Sequence, residues 1–230
     1  MRAKAIVKIC ICGTIALVLA SVLVSLLALP RVLDWKIGDL SFHWIDDHGS
    51  DEGYTVGEAS VSGEVRELDV SWLSGSVTVE LTDGDAVTLR EEPQPESSDA
   101  RMRWKLQDGK LTVYSQISGL TIPTRAKQLT IGIPAGRAGK LQKLSLDLSA
   151  ASASLPALTL RELELDSVSG SVTLTGGSYE NLDFDSTSGD LTVTDAAVGE
   201  LSADTTSGSL TLDGAFETID FDTTSGALHL

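Results

Sequence analysis

Beyond Arg161 the chain contains neither Lys nor Arg, although residues 162–230 carry 14 Asp and Glu side chains. That segment alone holds −14 of the formal net charge of −16. Phosphate recognition needs a basic face, so nucleic acid is not expected as a partner, and an anionic lipid surface would repel these residues. Cations or basic partners are attracted instead. Aromatic residues are also scarce, at 5%. A core resting mainly on large rings does not fit, whereas ladders of Leu, Val and Ile in a repetitive β structure do. Cysteine is limited to Cys10 and Cys12, both in the apolar N-terminal run. No disulfide can staple the remainder of the chain. The pair does not end an apolar stretch as a lipidation site would, and reads as two small apolar helix residues.

Long hydrophobic runs are absent except for one. Ile9 to Leu29 is 21 residues without a charge, closed by Pro30 and Arg31. As an α-helix it would be roughly 31 Å long, about the thickness of a hydrocarbon core. Arg2, Lys4 and Lys8 precede it. The excess of cations on that side places the N-terminus in the cytoplasm and the C-terminal domain outside a single-pass cell membrane. A cleaved signal peptide ending at Val18-Leu19-Ala20 is the rival reading, but it would leave the apolar stretch Ser21–Leu29 at the new N-terminus. Residues 1–30 are therefore expected to be a cytoplasmic tip and transmembrane anchor, and 31–54 a juxtamembrane segment. His43, Asp46, Asp47 and His48 cluster there, and in a polar linker they read as solvated charge, not as a metal site, which needs convergent ligands and a second layer of support.

From Thr55 the pattern changes to short alternating runs divided by turn residues, which predicts strands. Glu67–Leu73 and Ser76–Leu81 flank Ser74-Gly75, and Ala86–Arg90, Arg103–Leu106, Leu111–Tyr114 and Leu129–Ile133 are further strand candidates. Glu91–Ser98, with its two prolines and three Glu, is expected to be a solvated loop. No helical period is visible after residue 31. Residues 55–142 thus form an irregular β region.

Residues 143–230 are regular. Gly170, Gly189, Gly208 and Gly226 each follow a serine at spacings of 19, 19 and 18, and Ala151 stands 19 before Gly170. Seven residues before these five positions come Leu144, Leu163, Leu182, Leu201 and Ile219; five before come Leu146, Leu165, Phe184, Ala203 and Phe221. Two after come Ala153, Val172, Leu191, Leu210 and Leu228, and four after come Leu155, Leu174, Val193, Leu212 and Leu230. Apolar positions alternating on both sides of a Ser-Gly corner predict two strands per repeat, each with one buried face. One repeat cannot bury that face alone, but stacked repeats can. The predicted fold is all-β, a β-solenoid of roughly 19-residue repeats with coils about 4.8 Å apart. The corner glycine answers either a positive φ or a close backbone approach.

A polar column is equally regular: Asp147, Asp166, Asp185, Asp204 and Asp222 each stand four before the corner, on the outward face. Stacked carboxylates repel, so something must compensate. Hydrogen bonds from turn N–H groups or neighbouring hydroxyls are the favoured explanation, because Asp is common at turns. A calcium ladder through Asp166, Asp185, Asp204 and Asp222 is the sharper alternative, but the chain lacks the calcium-binding nonapeptide pattern. No cofactor is expected.

Val65-Arg-Glu-Leu-Asp-Val-Ser-Trp-Leu-Ser-Gly-Ser-Val-Thr-Val79, following an N-terminal apolar segment and followed by Asp-x-x-Ser-Gly-x-Leu-Thr-Leu units, resembles the bacterial "putative adhesin" family with β-strand repeats. Lys127–Pro134 is similar to the segment that leads into the repeats there. The resemblance covers most of residues 60–230. It implies a surface or envelope protein of Gram-positive-type bacteria, linked in some members to envelope stress, and supplies no catalytic residue. The chain departs from the pattern in lacking a C-terminal capping segment.

Enzymatic function is not expected. The histidines are His43, His48 and His229, and the serines recur as equivalent turns, singling out no nucleophile. Two roles remain: a binding, adhesin-like module that contacts cell-wall or protein partners from the membrane, or a scaffold that self-associates. The chain stops inside the second strand of a repeat, so an uncovered strand edge is expected to favour end-to-end association.

Overall fold

The computed structural model describes residues 53–115 and 126–230. The apolar run Ile9–Leu29 and the His43, Asp46, Asp47, His48 set lie outside the described residues. Among the described residues the protein is nearly all-β, and no helix is long and apolar enough to cross a membrane. The first half contains β1 (Thr55–Val56), β2 (Ala59–Val61), β3 (Glu67–Thr82), β4 (Val87–Glu92), β5 (Arg103–Gln107), β6 (Lys110–Tyr114) and β7 (Lys127–Pro134). After the one-turn helix α1 (Ala135–Ala138) come β8 (Lys143–Leu155), β9 (Thr159–Ser167) and β10 (Val172–Thr175). The chain continues through β11 (Ser178–Ser186), β12 (Leu191–Thr205), β13 (Leu210–Thr223) and β14 (Leu228–His229).

The apolar alternation sets the register of the second half. β11 lies between β9 and β12, parallel to both, with Leu182 opposite Leu163 and Leu201, and Phe184 opposite Leu165 and Ala203. β10 lies between β8 and β12, where Leu174 faces Leu155 and Val193. β13 continues both sets of columns, pairing Leu210 with Leu191 and Ile219 with Leu201. Residues one repeat apart are thus direct neighbours in parallel strands. The columns are buried from Leu144 to Leu212. In the last repeat Ile219 and Phe221 are half-buried, and Leu228 and Leu230 are exposed, since no described strand covers them.

The long strand β3 belongs to the same stack. Leu68, Val70 and Val77 pair with Leu144, Leu146 and Ala153 of β8. On the other edge of β3, β6 brings Leu111 and Val113, and β7 brings Leu129 and Ile131, again in parallel. Strands β4 and β5 then turn the direction, pairing antiparallel with β7 and β6, and β2 and β1 add antiparallel edges to them.

Two local expectations change. Glu91 and Glu92 belong to β4 and not to a solvated loop. Glu91 is buried, its carboxylate 2.9 Å from Lys127 Nζ, and it also accepts the Met102 amide at 3.0 Å. Lys127 Nζ donates to the Ala100 carbonyl, and the Lys127 carbonyl accepts from Trp72 Nε1 at 3.1 Å. A buried carboxylate is tolerated here because it is paired and hydrogen-bonded. The second change is α1, whose single turn is too short to leave a periodic signature.

Candidate functional site

The corner explains the Ser-Gly repeat. A Cβ on Gly189 would lie 2.1 Å from the Gly170 carbonyl oxygen, and one on Gly208 would lie 2.0 Å from that of Gly189. At Gly226 the distance to the Gly208 oxygen would be 1.8 Å. Their φ angles are not positive, so close approach to the backbone of the neighbouring corner is what demands glycine.

A hydroxyl three residues earlier completes each corner. Ser186 Oγ accepts the Gly189 amide at 2.7 Å, and Thr205 and Thr223 Oγ1 accept those of Gly208 and Gly226, each at 2.8 Å. Ser167 reverses the sense and donates to the Gly170 carbonyl at 2.7 Å. The amides of Gly189, Gly208 and Gly226 are therefore held by hydroxyls. The sequence carried the signal, a Ser or Thr at the same offset before each glycine, but the apolar columns drew attention away from it.

The outward faces of the two strands in each repeat differ in chemistry. On the face formed by β9, β11 and the second halves of β12 and β13, Asp147, Asp166, Asp185, Asp204 and Asp222 pair in one row. Ser145, Glu164, Asp183, Ser202 and Asp220 form the next row. At the β8 end cations balance these carboxylates. Lys143 Nζ lies 2.8 Å from Glu164 and 3.2 Å from Glu162, and Ser145 Oγ donates to Glu164 at 2.9 Å. Partial burial pulls the Lys143 ammonium down, but hydrogen bonds and charge from Glu164 and Glu162 outweigh it and leave its pKa raised. Burial pushes the Glu164 carboxyl up, but Lys143 and Ser145 outweigh that and hold it below the usual range. Farther along, partial burial and then Asp185, Asp222 and Asp220 raise the pKa of Asp204. Among the described residues no three His, Cys, Asp or Glu side chains form a group that could hold a metal ion.

The other outward face is rich in hydroxyls and carries an uncharged central row. One continuous row runs Thr130, Thr78, Ser154, Thr173, Thr192, Thr211, crossing β7, β3, β8, β10, β12 and β13. Glu92, Gln128, Ser76, Ser152 and Asp190 flank it on one side, and Glu80, Thr175, Thr194 and Asp213 on the other. Each row member alternates with buried Val, Leu, Ile or Ala, and its side chain is exposed or half-buried. Adjacent rungs are about 4.8 Å apart, as in any paired sheet. Sequence reading did not join these residues into one row, because β3 and β7 are out of count with the 19-residue repeat.

A parallel all-β stack with Ser-Gly corners defines the class of protein, and the family follows from the sequence that builds it. Residues 65–230 match the Toastrack DUF4097 family, and the chain belongs to it. The matched span contains Val65–Val79 and all the Ser-Gly repeats. A crystal structure of a "putative adhesin" from Parabacteroides distasonis is similar at 13% identity and a TM-score of 0.40, over 72% of this chain and 76% of that one. One of a "putative adhesin" from Bacteroides fragilis shows 12% identity and a TM-score of 0.38, over 77% and 97%. One of a "putative cell adhesion protein" from Clostridium sporogenes shows 9% identity and a TM-score of 0.36, over 76% and 98%. Likenesses this distant carry no function. No curated protein matches the chain.

Proposed function

We propose that this chain is a non-enzymatic, adhesin-like binding module of the cell envelope. In this reading residues 1–30 anchor it in the cell membrane, and a β-solenoid spanning β3 and β8 to β14 is held outside. The observation that carries the binding role is the hydroxyl row from Thr130 to Thr211, a neutral strip on a chain of net charge −16. Rigid neighbouring strands fix these hydroxyls at one repeat, so a polymer with its own periodic hydroxyls can form many hydrogen bonds without ordering the protein first. The acidic face opposes anionic polymers and lipid headgroups. A neutral, hydroxyl-rich wall glycan is the partner this chemistry suits. Binding is preferred over catalysis because the polar groups recur as equivalent columns, and catalysis needs one convergent set.

Protease added to intact cells or wall-stripped protoplasts tests the placement. Digestion of the repeats with retention of the N-terminal segment in the membrane is expected. Protection of the repeats, or a mature N-terminus at Ser21, contradicts it.

A further inference from the structure

At the antiparallel end of the stack a cavity of about 270 Å³ opens between the β2–β3 connection and the α1 segment. Its walls are Val65, Leu68, Val87, Ile133 and Leu141, four of them buried core residues and Val65 half-buried. The same cavity is lined by Arg137 and Lys140. Arg137 Nη1 donates to the Ser62 carbonyl at 3.0 Å, which ties α1 to the β2–β3 connection. A guanidinium has five N–H donors, so that bond leaves capacity for an acceptor. The described ion pairs are made by Lys110, Lys127, Lys143 and Arg161, and not by Arg137 or Lys140. Glu64 also lines the cavity, so the polar groups there sum to one net positive charge in a strongly acidic chain.

A partly apolar cavity, lined also by Ser62 and Gly63 and lying beside two cations, fits a ligand with one apolar chain and one anionic end. We propose that this cavity binds a single-chain anionic amphiphile, a fatty carboxylate, with its alkyl chain against Leu68, Ile133 and Leu141 and its carboxylate at Arg137 and Lys140. The volume argues for one chain and against a two-chain phospholipid, because it falls just under the roughly 300–1,000 Å³ of ordinary small-molecule sites. Charge argues for an anion over an alcohol or an amine, since Arg137 and Lys140 outnumber Glu64 in the lining and a charged partner gives the stronger hydrogen bonds. This site lies apart from the hydroxyl row and does not depend on its role.

The full chain in neutral-lipid nanodiscs, titrated with octanoate and with octanol against empty nanodiscs, tests the proposal. Saturable octanoate binding is expected, with octanol weaker by about tenfold or more. The double substitution R137Q/K140Q is expected to weaken octanoate by about tenfold, with only a small fall in melting temperature from loss of the exposed Arg137–Ser62 hydrogen bond. Val65→Phe fills the chamber from a half-buried position with both cations intact, and is expected to abolish octanoate binding. Octanoate that does not bind above the nanodisc background overturns the proposal. So does octanol binding equally well, or unchanged octanoate binding in either variant.

Discussion

Thr205 Oγ1 accepts the amide hydrogen of Gly208 at 2.8 Å inside a corner where both residues are buried. Gly208 in turn packs so tightly on the neighbouring corner that any Cβ would overlap the Gly189 carbonyl. Thr205→Val keeps the shape and removes the acceptor, leaving a buried N–H unsatisfied. It is expected to cost about 1–3 kcal/mol by denaturant unfolding. The same change at Thr223, whose corner is exposed, is expected to cost less, because water can replace the hydroxyl. Equal costs would mean that burial does not set the worth of this bond.

Leu174 is fully buried between Leu155 and Val193, and Thr173 beside it is exposed. Leu174→Asp places an unpaired charge in the apolar column and is expected to destabilise by more than about 4 kcal/mol. Thr173→Asp is expected to stay within about 0.5 kcal/mol. Chemical denaturation of both variants checks the in-out assignment, and similar losses contradict it.

Much of this architecture was legible because strand alternation has a period of two and the Ser-Gly corner has a fixed spacing. The columns from Leu144 to Leu212 could be written down residue by residue. What escaped notice were relationships that depend on distant pairing. β3 stacks on β8, yet the excursion through β4 to β7 interrupts the count that would have linked Leu68 to Leu144. Glu91 looked like loop charge next to two prolines, and only its pairing with Lys127 makes a buried carboxylate there affordable. The cavity draws its walls from four separated segments, none with a motif. The Asp column was located on the outward face, and hydroxyls, which the sequence displayed at a constant offset, hold the amides of Gly189, Gly208 and Gly226.

The Glu91–Lys127 pair gives a further test. Lys127→Met leaves the carboxylate buried without its cation, at an expected cost of about 3–5 kcal/mol. Glu91→Gln in the same chain removes the stranded charge and is expected to restore part of that loss. A double variant no more stable than Lys127→Met alone would show that the packing of Lys127, and not its charge, is what matters.

For Asp204 the pH dependence has a definite sign. Its folded pKa is raised, so as pH falls the folded chain takes up this proton before the unfolded chain does, and stability rises. Asp204→Asn is therefore expected to stabilise the fold at neutral pH by less than about 1 kcal/mol, since the group is solvent-exposed, with the gain fading as pH falls through the raised folded pKa and gone below about pH 3.9. Millimolar Ca²⁺ is expected to leave the melting temperature unchanged against an ionic-strength control. A calcium-dependent rise that Asp185→Asn abolishes would establish the cation ladder instead.

Co-sedimentation of the full chain with purified cell walls, in the native protein and in a Thr173→Lys/Thr192→Lys variant, tests the binding role most directly. Both substitutions sit on the hydroxyl row and outside the core, so folding is expected to survive, as the melting curve will verify. The native chain is expected to pellet with the walls and the variant to remain in the supernatant. Equal pelleting of both, or no pelleting of the native chain, would contradict a wall-binding role for the hydroxyl face.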